Sequence, residues 1–146
     1  MTSSFKQTNY HFKYSIEVHN SQEKVWGFLT NVARWKDWDT ELIESNLFGK
    51  FALGTEGALK PKNGPKLKFH ISELIPNTSY TFKTKMPIGY LEIKRTLEKK
   101  GDTIEFTDDI QFTGFLKRVF GVMLGGGFKK VLPQVMENFK RLAEQE

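Results

Sequence analysis

Residues 10–18, Y-H-F-K-Y-S-I-E-V, alternate without a break, and Tyr10, Phe12, Tyr14, Ile16 and Val18 fall on one parity. A period of two over that length predicts a strand. Asn20 and Ser21 follow as helix caps, Glu23 stands three residues after Asn20, and Val25, Trp26, Phe28 and Leu29 give a short helix its apolar side. A second short helix is expected over 33–38. Strand patterns then recur at 43–51, 55–60, 66–75, 79–86 and 88–98, divided by Gly54, Pro61-Lys-Asn-Gly-Pro65 and Pro76-Asn77. That turn chemistry suits an antiparallel meander. After a last strand at 104–113, the period lengthens to about 3.6 from Gly114 to Glu144. Leu116, Val119, Phe120, Met123, Phe128, Val131, Leu132, Val135, Met136, Phe139 and Leu142 form one broad stripe, with Lys117, Lys130, Lys140 and Arg141 largely outside it. The pattern predicts a long helix across the sheet, kinked or irregular where Gly125-Gly-Gly127 and Pro133 interrupt it. The fold class is α+β, in the order strand, two short helices, antiparallel strands, long helix.

Two charged residues break the apolar parities. Asp108 lies between Phe106 and Ile110, and Arg95 interrupts Leu91, Ile93 and Leu97 on the strand before. A two-residue loop at Gly101-Asp102 places Arg95 directly opposite Asp108, whereas a four-residue loop puts them on the diagonal. Either register allows contact. A buried carboxylate must be paired, protonated or reserved for an incoming group. The two residues therefore read as a structural ion pair or as a polar anchor for a ligand, unless a bulge shifts the parity. As a pair, Arg95 is expected to keep Asp108 ionised.

Composition narrows the chemistry. The chain of 146 residues fits one domain, residues 1–146, and has no cysteine, which excludes disulfides and thiol catalysis and suits a reducing, cytoplasmic setting. Residues 1–14 lack the apolar run of a signal peptide, and the longest apolar run, 119–128, is too short for a membrane span. The net charge of +5 raises an anionic partner, but Lys66, Lys68, Lys83, Lys85 and Lys94 share solvent-facing strand parities with no aromatic platform among them, so nucleic acid is not expected. His11, His19 and His70 fall on polar parities, away from any buried face. The cluster Asp37, Asp39, Glu41 and Glu44 reads as a solvated acidic face, and no metal or cofactor is expected. Residues 121–127 are rich in glycine but lack the Lys-Ser/Thr ending of a phosphate loop.

The element order, together with Val25-Trp26, Trp35-Lys-Asp-Trp38, Phe51-Ala-Leu-Gly-Thr55 with Gly57, and Phe112-Thr-Gly114, resembles the polyketide cyclase/dehydrase-like branch of the START/SRPBCC superfamily. The resemblance implies a helix-grip fold, in which a curved antiparallel sheet of about six to seven strands holds the C-terminal helix with a hydrophobic cavity between. It implies binding of a hydrophobic small molecule, lipid-like, acyl or aromatic. Tyr14, Trp38, Tyr80, Phe82, Leu91, Ile93, Arg95, Phe106, Asp108 and Met123 are the candidate lining residues. Trp35 and Trp38 are three apart on a short helix and read as core packing or as a rim at the cavity mouth. Two alternatives stay open: a cyclase or dehydratase in which Asp108 or a tyrosine moves protons, and a protein-interaction module using the basic outer sheet or the 120–128 region.

Overall fold

The computed structural model describes residues 6–86, 89–115 and 117–146, without the side chains of Phe120 and Met123. Expectations for Ile88, for Leu116 and for those two side chains therefore lie outside the described residues. Strand β1 (His11–Val18) leads to α1 (Gln22–Leu29), a 3₁₀ turn (Val32–Arg34) and α2 (Trp35–Trp38). Six strands follow: β2 (Leu42–Leu47), β3 (Glu56–Pro61), β4 (Leu67–Ile75), β5 (Ser79–Met86), β6 (Gly89–Lys100) and β7 (Thr103–Thr113). The chain then forms α3 (Lys117–Phe120), a π-helical turn (Gly121–Gly125) and α4 (Gly126–Ala143). The seven strands make one antiparallel sheet in the order β1-β7-β6-β5-β4-β3-β2, so the first strand closes onto the last. This is the helix-grip arrangement.

Local chemistry accounts for the boundaries. Ser21, the N-cap of α1, accepts from the Lys24 amide at 3.3 Å. Asn20 acts at longer range, where its Nδ2 donates to the Ala143 carbonyl at 2.9 Å and ties the start of α1 to the end of α4. β2 ends four residues earlier than the pattern suggests, because Gly49 and Gly54 take φ of 146° and 87° and turn the chain before β3. Pro133 does not break α4, which continues through it. Leu132, Val135, Met136 and Phe139 are buried around that position, and their packing holds the helix past the missing amide.

The core is densest beneath the C-terminal half of α4. The Phe139 ring lies 4.6 Å from Phe106, 5.0 Å from Trp38 and 5.2 Å from Phe28, centroid to centroid. Trp35 packs 4.8 Å from Phe82, and both tryptophans of α2 are fully buried. Such aromatic pairs each add about 0.5–1.5 kcal/mol beyond their buried area. The phenylalanines thus fill one end of the grip. The other end, under the N-terminal half of α4, stays open.

Candidate ligand cleft

Parity places one row of side chains from each of three neighbouring strands on the concave face: Tyr80, Phe82 and Thr84 from β5; Leu91, Ile93 and Arg95 from β6; Phe106, Asp108 and Ile110 from β7. The β6–β7 loop has two residues, since Lys100 pairs with Thr103, and Gly101 takes φ 61° there. That register sets Arg95 directly opposite Asp108. Both are 2% exposed.

Above these rows lies a cleft of about 280 Å³, walled by Phe82, Leu91 and Ile93 on the sheet, Leu124 and Phe128 on the helical side, and Leu42 and Leu59 toward β2 and β3. A narrower recess of about 40 Å³ continues past Arg95 to Asp108, Ile110, Val131 and Val135. Asp39, Glu41, Leu91, Ile93, Arg95 and Phe128 border both spaces, so the two read as one cavity with a constriction. The walls are mostly apolar: Thr84, Lys62 and Asn63 also line the wider cleft, and Arg95, Asp39, Glu41 and Asp108 gather at one end.

Arg95 organises that end. Its Nε donates to Asp108 Oδ1 at 3.3 Å and its Nη1 to the Tyr80 hydroxyl at 3.2 Å. The Tyr80 hydroxyl donates in turn to the Leu29 carbonyl at 2.8 Å, which also accepts from Trp35 Nε1 at 2.8 Å. An otherwise orphaned carbonyl at the end of α1 is satisfied in this way. The guanidinium carbon sits 4.7 Å from the Trp35 and Trp38 ring centres and 4.9 Å from Phe82. Aromatic faces offset part of the desolvation of a buried cation. Nη2 has no hydrogen-bond partner among the described residues.

The electrostatics follow from burial. Burial pushes the Tyr80 hydroxyl up to about 12 despite the neighbouring Arg95, which leaves it a hydrogen-bonding group and not a proton acceptor. Burial likewise raises the Asp108 carboxyl above its ordinary value; Arg95 opposes this through one contact and does not overcome it. Burial and not the cation therefore sets the direction of the shift, because the bidentate contact that would favour the carboxylate is not formed. Arg95 stays cationic, held so by Tyr80 and Asp108. Asp39 is pushed up to about 6 by burial, with Arg95 pulling the other way and the Glu41 amide donating to its Oδ1 at 3.0 Å.

Of the ten candidate residues, Phe82, Leu91, Ile93, Arg95 and Asp108 border the cavity. Trp38, Tyr80 and Phe106 do not; they are fully buried behind Arg95 and in the aromatic core. Tyr14 has the inward parity, opposite Asp108, but β1 is the edge strand and Tyr14 is 37% exposed there, outside the cavity. The Met123 side chain lies outside the described residues. Asp39 and Glu41 were not among the candidates. Asp39 enters because α2 ends after four residues and its C-cap residue takes φ −96°, ψ 97°, turning the chain beside the cleft. The sequence signal is its place directly after Trp38, a residue read as inward-facing.

The other acidic side chains of the cluster pair with neighbouring cations, Glu41 doing so at the cleft itself. Asp37 pairs with Arg34 at 3.0 Å, Glu44 with Lys66 at 4.0 Å and Glu41 with Lys62 at 3.8 Å. Among the described residues no group of three His, Cys, Asp or Glu side chains is arranged to hold a metal ion. His11 sits on the outer face beside Asp109, at 2.8 Å.

Comparison with known proteins agrees with this architecture. A START superfamily protein from Mycobacterium smegmatis superposes with a TM-score of 0.75 at 13% identity, covering 92% of this chain and 97% of that one. Protein MLL2253 from Mesorhizobium loti gives 0.71 at 17% identity over 92% and 98%. The di-domain ARO/CYC StfQ from the steffimycin biosynthetic pathway gives 0.66 at 9% identity, covering 92% of this chain and 44% of that larger one. At these identities the likeness is one of fold. No curated protein matches the sequence significantly. Residues 10–144, however, match the profile described as polyketide cyclase / dehydrase and lipid transport, and the chain belongs to that family.

Proposed function

We propose that the cavity binds a hydrophobic small molecule, lipid-like, acyl or aromatic, with its apolar body against Phe82, Leu91, Ile93 and Phe128 and an acceptor group at Arg95. The observation that carries this reading is an apolar cleft of about 280 Å³ ending at a buried arginine whose Nη2 lacks a partner among the described residues. A volume at the lower edge of the roughly 300–1,000 Å³ usual for ligand pockets favours a ligand of modest size. The domain would act in the cytoplasm, consistent with a chain without cysteine. The test is a titration with 1-anilinonaphthalene-8-sulfonate, displaced by dodecanoate. Saturable fluorescence that dodecanoate displaces, and that Ile93→Trp abolishes by filling the cleft while leaving thermal unfolding cooperative, is the expected result. Fluorescence unchanged in Ile93→Trp would overturn the reading.

A second reading, a cyclase or dehydratase in the same cavity, draws on Asp39. A carboxyl held at about 6 beside an apolar cleft suits general acid–base work near neutrality. Tyr80 is committed to Leu29 and Arg95, so the proton-moving role falls to Asp39 and not to a tyrosine. An Asp39 carboxyl titrating at its ordinary value would remove this reading.

A further inference from the structure

The binding reading leaves unused a surface beside the cleft. Between Asp109 and Glu137 the chain has no acidic residue, yet Lys117, Arg118, Lys129 and Lys130 all fall in that interval. The same stretch leaves apolar side chains in solvent: Phe115 is 96% exposed and Val122 81%, with Val119 and Leu124 at 42% and 40%. This departs from the expected stripe, which would bury Val119. Single exposed apolar residues are ordinary, but several within ten positions and rimmed by cations mark an interaction surface. Lys117 and Arg118 lie over the Tyr10 ring, at 5.2 and 5.9 Å, which adds an aromatic to the same face.

We propose that this face, residues 115–130, docks on the surface of an anionic lipid bilayer. Phe115 and Val122 enter the boundary between headgroups and acyl chains, and the four cations meet the anionic headgroups. Charge complementarity selects that occupant. A second copy apposed through the same face would set four cations against four, with no acidic residue in the segment to answer them. The segment lies on the membrane and does not cross it: no helix among the described residues is long and apolar enough for that. Leu124 belongs both to this face and to the cleft wall, so docking brings the cleft beside the lipid. The inference rests on the face alone and holds whether or not the cleft is occupied.

Vesicle flotation of the full chain tests it, using phosphatidylcholine vesicles with and without about one-third phosphatidylglycerol. Binding is expected to the anionic vesicles only and to weaken as salt rises. Phe115→Asp/Val122→Asp, at exposed positions where the fold tolerates polarity, should reduce it at least about tenfold. Lys129→Gln/Lys130→Gln should reduce it roughly ten- to thirtyfold, with melting unchanged. Equal binding to neutral vesicles, or anionic binding that survives either pair of substitutions, would overturn the proposal. So would failure to float together with a dimer that Phe115→Asp/Val122→Asp dissolves, which would assign the face to a second copy.

Discussion

Arg95 carries five N–H donors, and one contact to Asp108 with one to Tyr80 uses only part of that set. A guanidinium buried among three aromatic rings needs a counter-charge, and Asp108 is the nearest carboxylate in ion-pair contact. Removing the negative charge leaves the cation uncompensated. Asp108→Asn is therefore expected to destabilise the protein by about 3 kcal/mol in urea unfolding, the lower end for a broken buried pair, because burial already opposes the carboxylate. A loss below about 1 kcal/mol, with weakened probe binding, would make the pair a ligand anchor and not a structural one. This juxtaposition was legible in the sequence, since strand parity gives the face and the short Gly101-Asp102 loop gives the register. Tyr14 shows the limit of parity. The alternation reports which face a residue takes, but whether anything roofs that part of the face depends on where α4 lies over an edge strand.

The C-terminal helical region divides into two parts with different surroundings. Past Leu132 its apolar stripe is buried against aromatic rings; before Phe128 it borders the cleft and the exposed face. The glycines belong to that division. A Cβ on Gly125 would collide with the Asn9 carbonyl, and one on Gly121 would crowd Tyr10, so these two let the segment before β1 cross the π turn at backbone contact. Gly127 meets nothing within 4 Å. The two sites should respond with opposite signs. Gly125→Ala should lower stability by about 1–3 kcal/mol less the helix-propensity gain, since backbone cannot give way as a side chain can. Gly127→Ala should raise it by about 0.4–1 kcal/mol. Parallel thermal melts check both, and a stabilised Gly125→Ala would mean that the crossing is loose. The sequence marks an interruption at residues 125–127 but not the π turn preceding it, because the crossing segment that demands the turn is over a hundred residues away in the chain.

For the whole molecule, the carboxyls at the cleft set how stability changes with pH. Asp39 titrates near 6 when folded and near the ordinary value of about 3.9 when unfolded, so between those values the folded state holds more protons. By linkage, stability contributed by this group falls as pH rises from about 4 to about 6 and is level beyond. Asp108 acts in the same direction, whereas Glu144, lowered by Lys140 and the His19 amide, acts in the opposite one at the surface. A raw stability profile mixes these groups; a difference between variants isolates one. Asn at position 39 can still accept from the Glu41 amide but does not titrate. Relative to the native chain, Asp39→Asn should therefore gain stability steadily from pH 4 to pH 6 and then hold a constant advantage, read from urea midpoints across that range. Carbon-detected NMR of the Asp39 carboxyl should give a midpoint near 6. A difference that stays flat across the range, with a midpoint near 3.9, would return Asp39 to the solvated acidic face and remove the basis for proton transfer at the cleft.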